Sequence, residues 1–223
     1  MAELIRGLEA DAVRANLERV RSEIAATGRD PEEIEVLAAV KYIPTEELGV
    51  LAEAGLTLLG ENRAQDLLEK AEAYPGAFTW DFIGHLQSRK VRQILPHVRY
   101  IETVSSDSAL EQLGRHGTPS TEILVEVNVA GEPGKSGIAP AELPGFLERS
   151  PARVVGLMTM PPLASEPEDS RRHFAALREL AHEHGLSRLS MGTSQDYLVA
   201  VQEGATIVRL GTSLYRSDRS GAS

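Results

Sequence analysis

Cysteine is absent from this chain of 223 residues. That excludes disulfides, thiol catalysis and thiolate metal sites together, and it fits a reducing compartment. Long apolar runs are missing too: none approaches the roughly 18 residues that span a bilayer. The opening residues carry Glu3, Arg6 and Glu9 in an amphipathic pattern and lack the apolar centre of a signal peptide. The expectation is a soluble cytoplasmic protein with no membrane partner. Positive charge is in deficit, with 23 Lys and Arg against 33 Asp and Glu and a net charge of −10. A broad basic face for nucleic acid is excluded on that ground, but a small anion needs only a few local donors. Metal-ligand spacing is also missing. There is no His-Glu-x-x-His, and His182 and His184 stand two apart, off a common helical face. No metal site is expected. Gly131–Gly137 resembles a P-loop only superficially, because its first glycine is misplaced and it contains Pro133. It reads as a mobile rim loop carrying Lys135.

What is present is a regular alternation. Apolar, β-branched runs predict strands over 34–40, 56–59, 79–83, 98–104, 122–129, 153–160, 187–191 and 206–210. Helical patterns fall between them, over 45–54, 64–73, 88–95, 106–115, 140–148, 168–184 and 194–203, and a longer one opens the chain over 4–27. Several strands, such as Val36-Leu37-Ala38-Ala39-Val40, are apolar throughout, as in a parallel sheet covered on both faces. Eight such units predict an α/β fold, a closed (β/α)8 barrel with an extra N-terminal helix. An open doubly wound sheet is the alternative. One domain is expected over 1–216, with a disordered tail over 217–223.

In such a barrel the working residues stand at the C-terminal strand ends. Lys41, Asn62, His85, Asn128, Ser190 and Arg209 all lie at or near a strand's last positions. Lys41 ends an apolar strand, where desolvation would free its amine to attack an aldehyde. The plainer reading is a lysine that snorkels from the rim. Ser190-Met191-Gly192-Thr193-Ser194 and Leu210-Gly211-Thr212-Ser213 end the last two strands and could cradle a phosphate on backbone N–H groups. As ordinary caps and turns they would do nothing further. Arg209, inside an apolar run, needs a partner: either a ligand or a buried acid such as Glu61 or Glu126. Asn62 could hydrogen-bond a ring hydroxyl, and His85 could be an acid/base or a rim residue. Met158 fits core packing, or contact with a ligand ring.

Taken in order, Val40-Lys41, Gly60-Glu61-Asn62, Phe82-Ile83-Gly84-His85-Leu86-Gln87-Ser88-Arg89-Lys90, Gly156-Leu157-Met158-Thr159-Met160, Ser190 to Ser194 and Arg209 to Thr212 resemble the YggS/PROSC family of pyridoxal 5′-phosphate (PLP) homeostasis proteins. The resemblance runs from about Ile34 to Arg216. It implies the fold of the alanine racemase N-terminal domain and PLP as cofactor, held as a Schiff base on Lys41. It places Ser190, Ser194, Gly211 and Thr212 on the phosphate side, Arg209 against the pyridine nitrogen and Asn62 in the pocket. Gly192, His85 and Met158 complete the expected cofactor-binding set. The chain departs from the family at Asp81, where histidine is frequent, at Thr193, where methionine is common, and at Gln195, where an acid is common.

Racemases of the related fold bring a second base, a tyrosine from another domain, opposite the lysine. The five tyrosines here are Tyr42, Tyr74, Tyr100, Tyr197 and Tyr215. Tyr42 is expected to point away from Lys41, because adjacent strand residues face opposite sides. The resulting expectation is a monomeric, non-catalytic carrier or reservoir serving vitamin B6 and amino-acid balance, with apo PLP-dependent enzymes as partners. A PLP-dependent racemase or decarboxylase is the alternative.

Overall fold

The computed structural model describes residues 4–163 and 165–215. The tail expected over 217–223 lies outside the described residues. Eight parallel strands close into a barrel in chain order, β1 pairing with both β2 and β8. They are β1 (Glu35–Ala39), β2 (Leu58–Glu61), β3 (Thr79–Phe82), β4 (Tyr100–Val104), β5 (Glu122–Glu126), β6 (Arg153–Met158), β7 (Arg188–Thr193) and β8 (Ile207–Leu210). Helix α1 (Ala10–Ala26) precedes the barrel. After each strand comes α2 (Leu48–Glu53), α3 (Ala64–Ala73), α4 (Val91–Ile94), α5 (Asp107–His116), α6 (Leu143–Arg149), α7 (Arg171–Glu183), α8 (Tyr197–Gln202) or α9 (Thr212–Tyr215). The closed barrel settles the choice against an open sheet.

Two cores follow from strand alternation. Leu37, Tyr100, Leu124, Met158 and Ile207, each from a different strand, form a cluster separate from the main core. They fill the inside of the barrel, as side chains do in folds of this type. The main core lies between strands and helices, where Val13, Leu17, Val20 and Ile24 recur along the buried stripe of α1.

Helix α1 starts later than the apolar period suggests. Ile5 N–H donates to the Tyr42 carbonyl at 2.8 Å, and the N–H groups of Gly7 and Leu8 donate to the Glu47 carboxylate at 2.8 and 3.1 Å. Gly7 has φ of 70°, which only glycine adopts freely. Tertiary partners therefore take the N–H groups, and the helix begins at Ala10. The strand expected over 122–129 also ends early, at Glu126. Beyond it Asn128 closes a loop, donating to the Glu132 carbonyl at 2.9 Å and accepting from Glu132 N–H at 3.2 Å. The loop over 131–137 is tied at its base by Ser136, which donates to Glu126 at 2.5 Å.

Candidate functional site

The barrel interior is layered. Two residues beyond Tyr100, Leu124 and Ile207, on the same faces of their strands, stand Glu102, Glu126 and Arg209. A polar storey thus lies on the apolar one, on the side where the strands end. Arg209 is nearly inaccessible. It donates to Ser190 Oγ at 2.6 Å, to the Thr159 carbonyl at 2.8 Å and towards Met160 Sδ at 2.9 Å. Burial pulls its pKa down, opposed by the charges of Glu102, Glu126 and Asp196. Of the two acids named as partners from the sequence, Glu126 contributes through its field, and Glu61 pairs with Lys70 instead.

Ser190, fully buried, passes the contact on. Its hydroxyl donates to Glu102 Oε2 at 2.6 Å. Behind Glu102 lies Asp81, whose carboxylate takes Arg99 on both oxygens at 3.1 and 2.7 Å. Arg99 in turn meets Glu35 at 2.7 Å. Burial raises the pKa of Glu102 to about 8, with the Asp81 charge adding to the rise and Arg209 opposing it. Asp81 and Glu126 are raised by burial as well.

The loops after β7 and β8 are joined by one hydroxyl. Ser194 Oγ lies 3.0 Å from Ser213 Oγ and accepts N–H donors from Gly211 at 3.2 Å and Ser213 at 3.4 Å. Gly192 has φ of 90°, and a Cβ there would stand 2.6 Å from that of Ala200, so the turn sits tight on α8. At Gly211 a Cβ would meet only the Ala39 carbonyl, at 3.9 Å, which leaves open space over the loop. Thr212 is exposed beside it. Thr193 N–H and hydroxyl are taken by Asp196 at 2.8 and 3.1 Å.

Lys41 lies two residues past the end of β1, after Val40, and is exposed. Its ammonium lies over the Tyr42 ring, 4.7 Å from the centroid. The expectation that Tyr42 would face away is corrected here: both residues lie past the strand, in a turn, where alternation no longer applies. Beneath them, Lys70 is buried and donates to the Val40 carbonyl and to Glu61 Oε2, both at 2.7 Å. Glu61 Oε1 accepts Asn62 N–H at 2.7 Å. One buried ion pair therefore pins the backbone beside both Lys41 and Asn62. Asn62 is half-buried, and its Oδ1 is buried without a hydrogen-bond partner. His85 is exposed beyond β3. Met158 belongs to the barrel's inner core, so its packing role is the one observed. Glu102 and Lys70 join the site from outside the family motifs, whereas Thr159 and Met160 stand within one of them and Asp81 beside another.

An amine at the rim, an orphaned amide oxygen, an open glycine loop and a fixed guanidinium suit a phosphorylated aldehyde. The sequence profile of the alanine racemase N-terminal domain matches residues 8–218. The pyridoxal phosphate homeostasis protein of Aquifex aeolicus is 38% identical over 213 residues, covering 89% of this chain and 93% of that one. Its counterpart from Pseudomonas aeruginosa is 38% identical over 214 residues, covering 92% and 93%. Among solved structures, PipY of Synechococcus elongatus with PLP bound superposes with a TM-score of 0.77 at 29% identity, covering 92% of this chain and 100% of that one. By profile, by identity over nearly its whole length and by fold, this chain belongs to the family of pyridoxal phosphate homeostasis proteins.

Proposed function

We propose that this chain binds PLP in the mouth of a single barrel domain and holds it on Lys41. The lysine's free amine adds to the cofactor aldehyde with loss of water, giving a Schiff base. The observation that carries the reading is the joined pair of loops at Ser194 and Gly211, next to a buried guanidinium that is already oriented. The loops around Gly192, Ser194, Gly211 and Thr212 take the phosphate, the glycines allowing close backbone approach. Arg209 faces the ring nitrogen, where a permanent cation disfavours protonation and so weakens the ring as an electron sink. Asn62 supplies an acceptor along the ring edge, and His85 stands at the rim. When bound, the cofactor supplies an electrophilic carbon that can be handed on.

The role that follows is a cytoplasmic, monomeric carrier or reservoir that supports PLP and amino-acid balance, delivering to apo PLP-dependent enzymes. The names of the relatives support the part in PLP homeostasis. The carrier role is supported by the position of Tyr42, which lies under the Lys41 ammonium on the lysine's own side and does not supply an opposing base. Titration of the apo protein with PLP tests the covalent step. A new absorbance band should grow with wild-type protein and be absent with Lys41→Ala. The same band in that variant would overturn the assignment.

A further inference from the structure

Asp81 pairs in register with Tyr100, which faces the barrel interior, and Glu102 stands two residues on along the same inward face, so two fully buried carboxyl groups lie on neighbouring strands inside the barrel. Two carboxylates so placed repel each other, and a shared proton relieves this. Asp81 already accepts both donors of Arg99 and the Tyr100 N–H at 3.2 Å. Glu102 Oε2 accepts the Ser190 hydroxyl, while its Oε1 is buried with no donor. Glu102 Oε1 is therefore the oxygen left to carry the proton.

We propose that Glu102 is a positioning residue for Arg209, holding the guanidinium through the Ser190 hydroxyl, and that the proton it shares with Asp81 sets the net charge beneath the bound ligand. This rests on the reading that Arg209 faces the ring of a phosphorylated pyridine.

The surroundings of Glu102 define the device. Asp81 reaches it from β3, Ser190 from β7 and the Arg209 charge from β8. Arg99 backs Asp81 and meets Glu35 of β1. Glu126 of β5, and Asp196 from the turn before α8, act on Arg209, and His85 acts on Glu126. With the proton in place, Asp81 is balanced by Arg99, and Arg209 presents its positive charge to the mouth. When the proton leaves, Glu102 becomes a buried anion one hydroxyl away from Arg209. It then cancels that charge under an anionic ligand, and in a low-dielectric interior such a change is felt strongly. The rise in the Glu102 pKa places this loss near neutral to mildly alkaline pH.

The test uses the apo protein and pyridoxine 5′-phosphate, which lacks the aldehyde and so removes Lys41 chemistry from the readout. Infrared difference spectra of the apo protein from about pH 6 to about pH 9.5 should show the C=O stretch of one protonated carboxyl, lost at the alkaline end and missing in Glu102→Gln. Its absence from wild type would overturn the shared proton. Over the same range the ratio of the wild-type Kd to that of Glu102→Gln should rise about tenfold or more, with the midpoint of the infrared change. Parallel Kd curves would overturn the role of Glu102 towards Arg209. Failure of pyridoxine 5′-phosphate to bind either protein, with the infrared band intact, would instead refute the cofactor reading. Should Glu102→Gln fail to fold, Asp81→Asn serves: it removes a charge that favours the proton and should move the infrared midpoint to lower pH. An unmoved midpoint would contradict the pairing.

Discussion

Lys70 donates to the carbonyl of Val40 at 2.7 Å, so a buried ammonium stands directly behind the residue that precedes Lys41. The same ammonium pairs with Glu61, the residue before Asn62. Removing one partner of a buried ion pair strands the other. Lys70→Met should therefore cost about 3–5 kcal/mol of stability and weaken PLP binding, because the turn bearing Lys41 loses its anchor. Denaturant unfolding of the apo protein measures the first effect. A loss below about 1 kcal/mol would assign the pair no structural weight.

The pH dependence of stability follows from the buried acids. The Glu102 pKa rises from an ordinary 4.5 to about 8, and Asp81 and Glu126 move in the same direction. Between those values the folded protein keeps a proton that the unfolded chain has released. The stability tied to that proton is complete below about 4.5 and is lost as pH rises through about 8, at about 1.4 kcal/mol per pH unit for one proton. Glu23, Glu46 and Glu168, whose pKa values are lowered, are ionised in both states above about pH 5.5 and add no slope there. Urea unfolding of the apo protein at a series of pH values should show this decline, flattened in Glu102→Gln. A wild-type profile that is level from pH 5.5 to 8 would contradict it.

The phosphate cradle predicts two linked losses. Gly192→Ala forces a φ of 90° on alanine and drives its Cβ into Ala200. A strained backbone of this kind costs on the order of 1–3 kcal/mol, and the loop it displaces should bind PLP less tightly. Pyridoxal without phosphate should bind the wild-type protein at least tenfold more weakly, as expected when charge-assisted hydrogen bonds to a helix-end cradle are forgone. Equal affinities for PLP and pyridoxal would remove the cradle from the account.

A carrier should leave amino acids unchanged. In deuterated water, the PLP-loaded protein should exchange the α-proton of amino acids far more slowly than about 1 per second, the lower range of enzyme turnover. Exchange at enzyme-like rates would favour a racemase or decarboxylase.

Much of the fold is legible in the sequence. The alternation of apolar strands and helices specified the barrel. That Glu102, Glu126 and Arg209 share one inward face emerges only when the strands are aligned in the barrel. Arg209 announced itself because a guanidinium within Thr206-Ile207-Val208-Arg209-Leu210 must find a partner. Glu102 lies in an equally apolar run, Ile101-Glu102-Thr103-Val104, and carried the same signal. Its partner Ser190 is 88 residues away, and no local pattern links them. The start of α1 was illegible for a related reason: its N–H groups are claimed by Tyr42 and Glu47, and capture by distant residues overrides a local period. Tyr42 lies beside Lys41 and does not face away from it, because alternation stops at the strand's last residue, Ala39.

The measurement that bears most directly on the account is reductive trapping. Protein incubated with PLP, reduced with borohydride, digested and mapped by mass spectrometry should carry one phosphopyridoxyl group, on Lys41. Modification spread over surface lysines, or located on another lysine with Lys41 unmodified, would contradict the central claim.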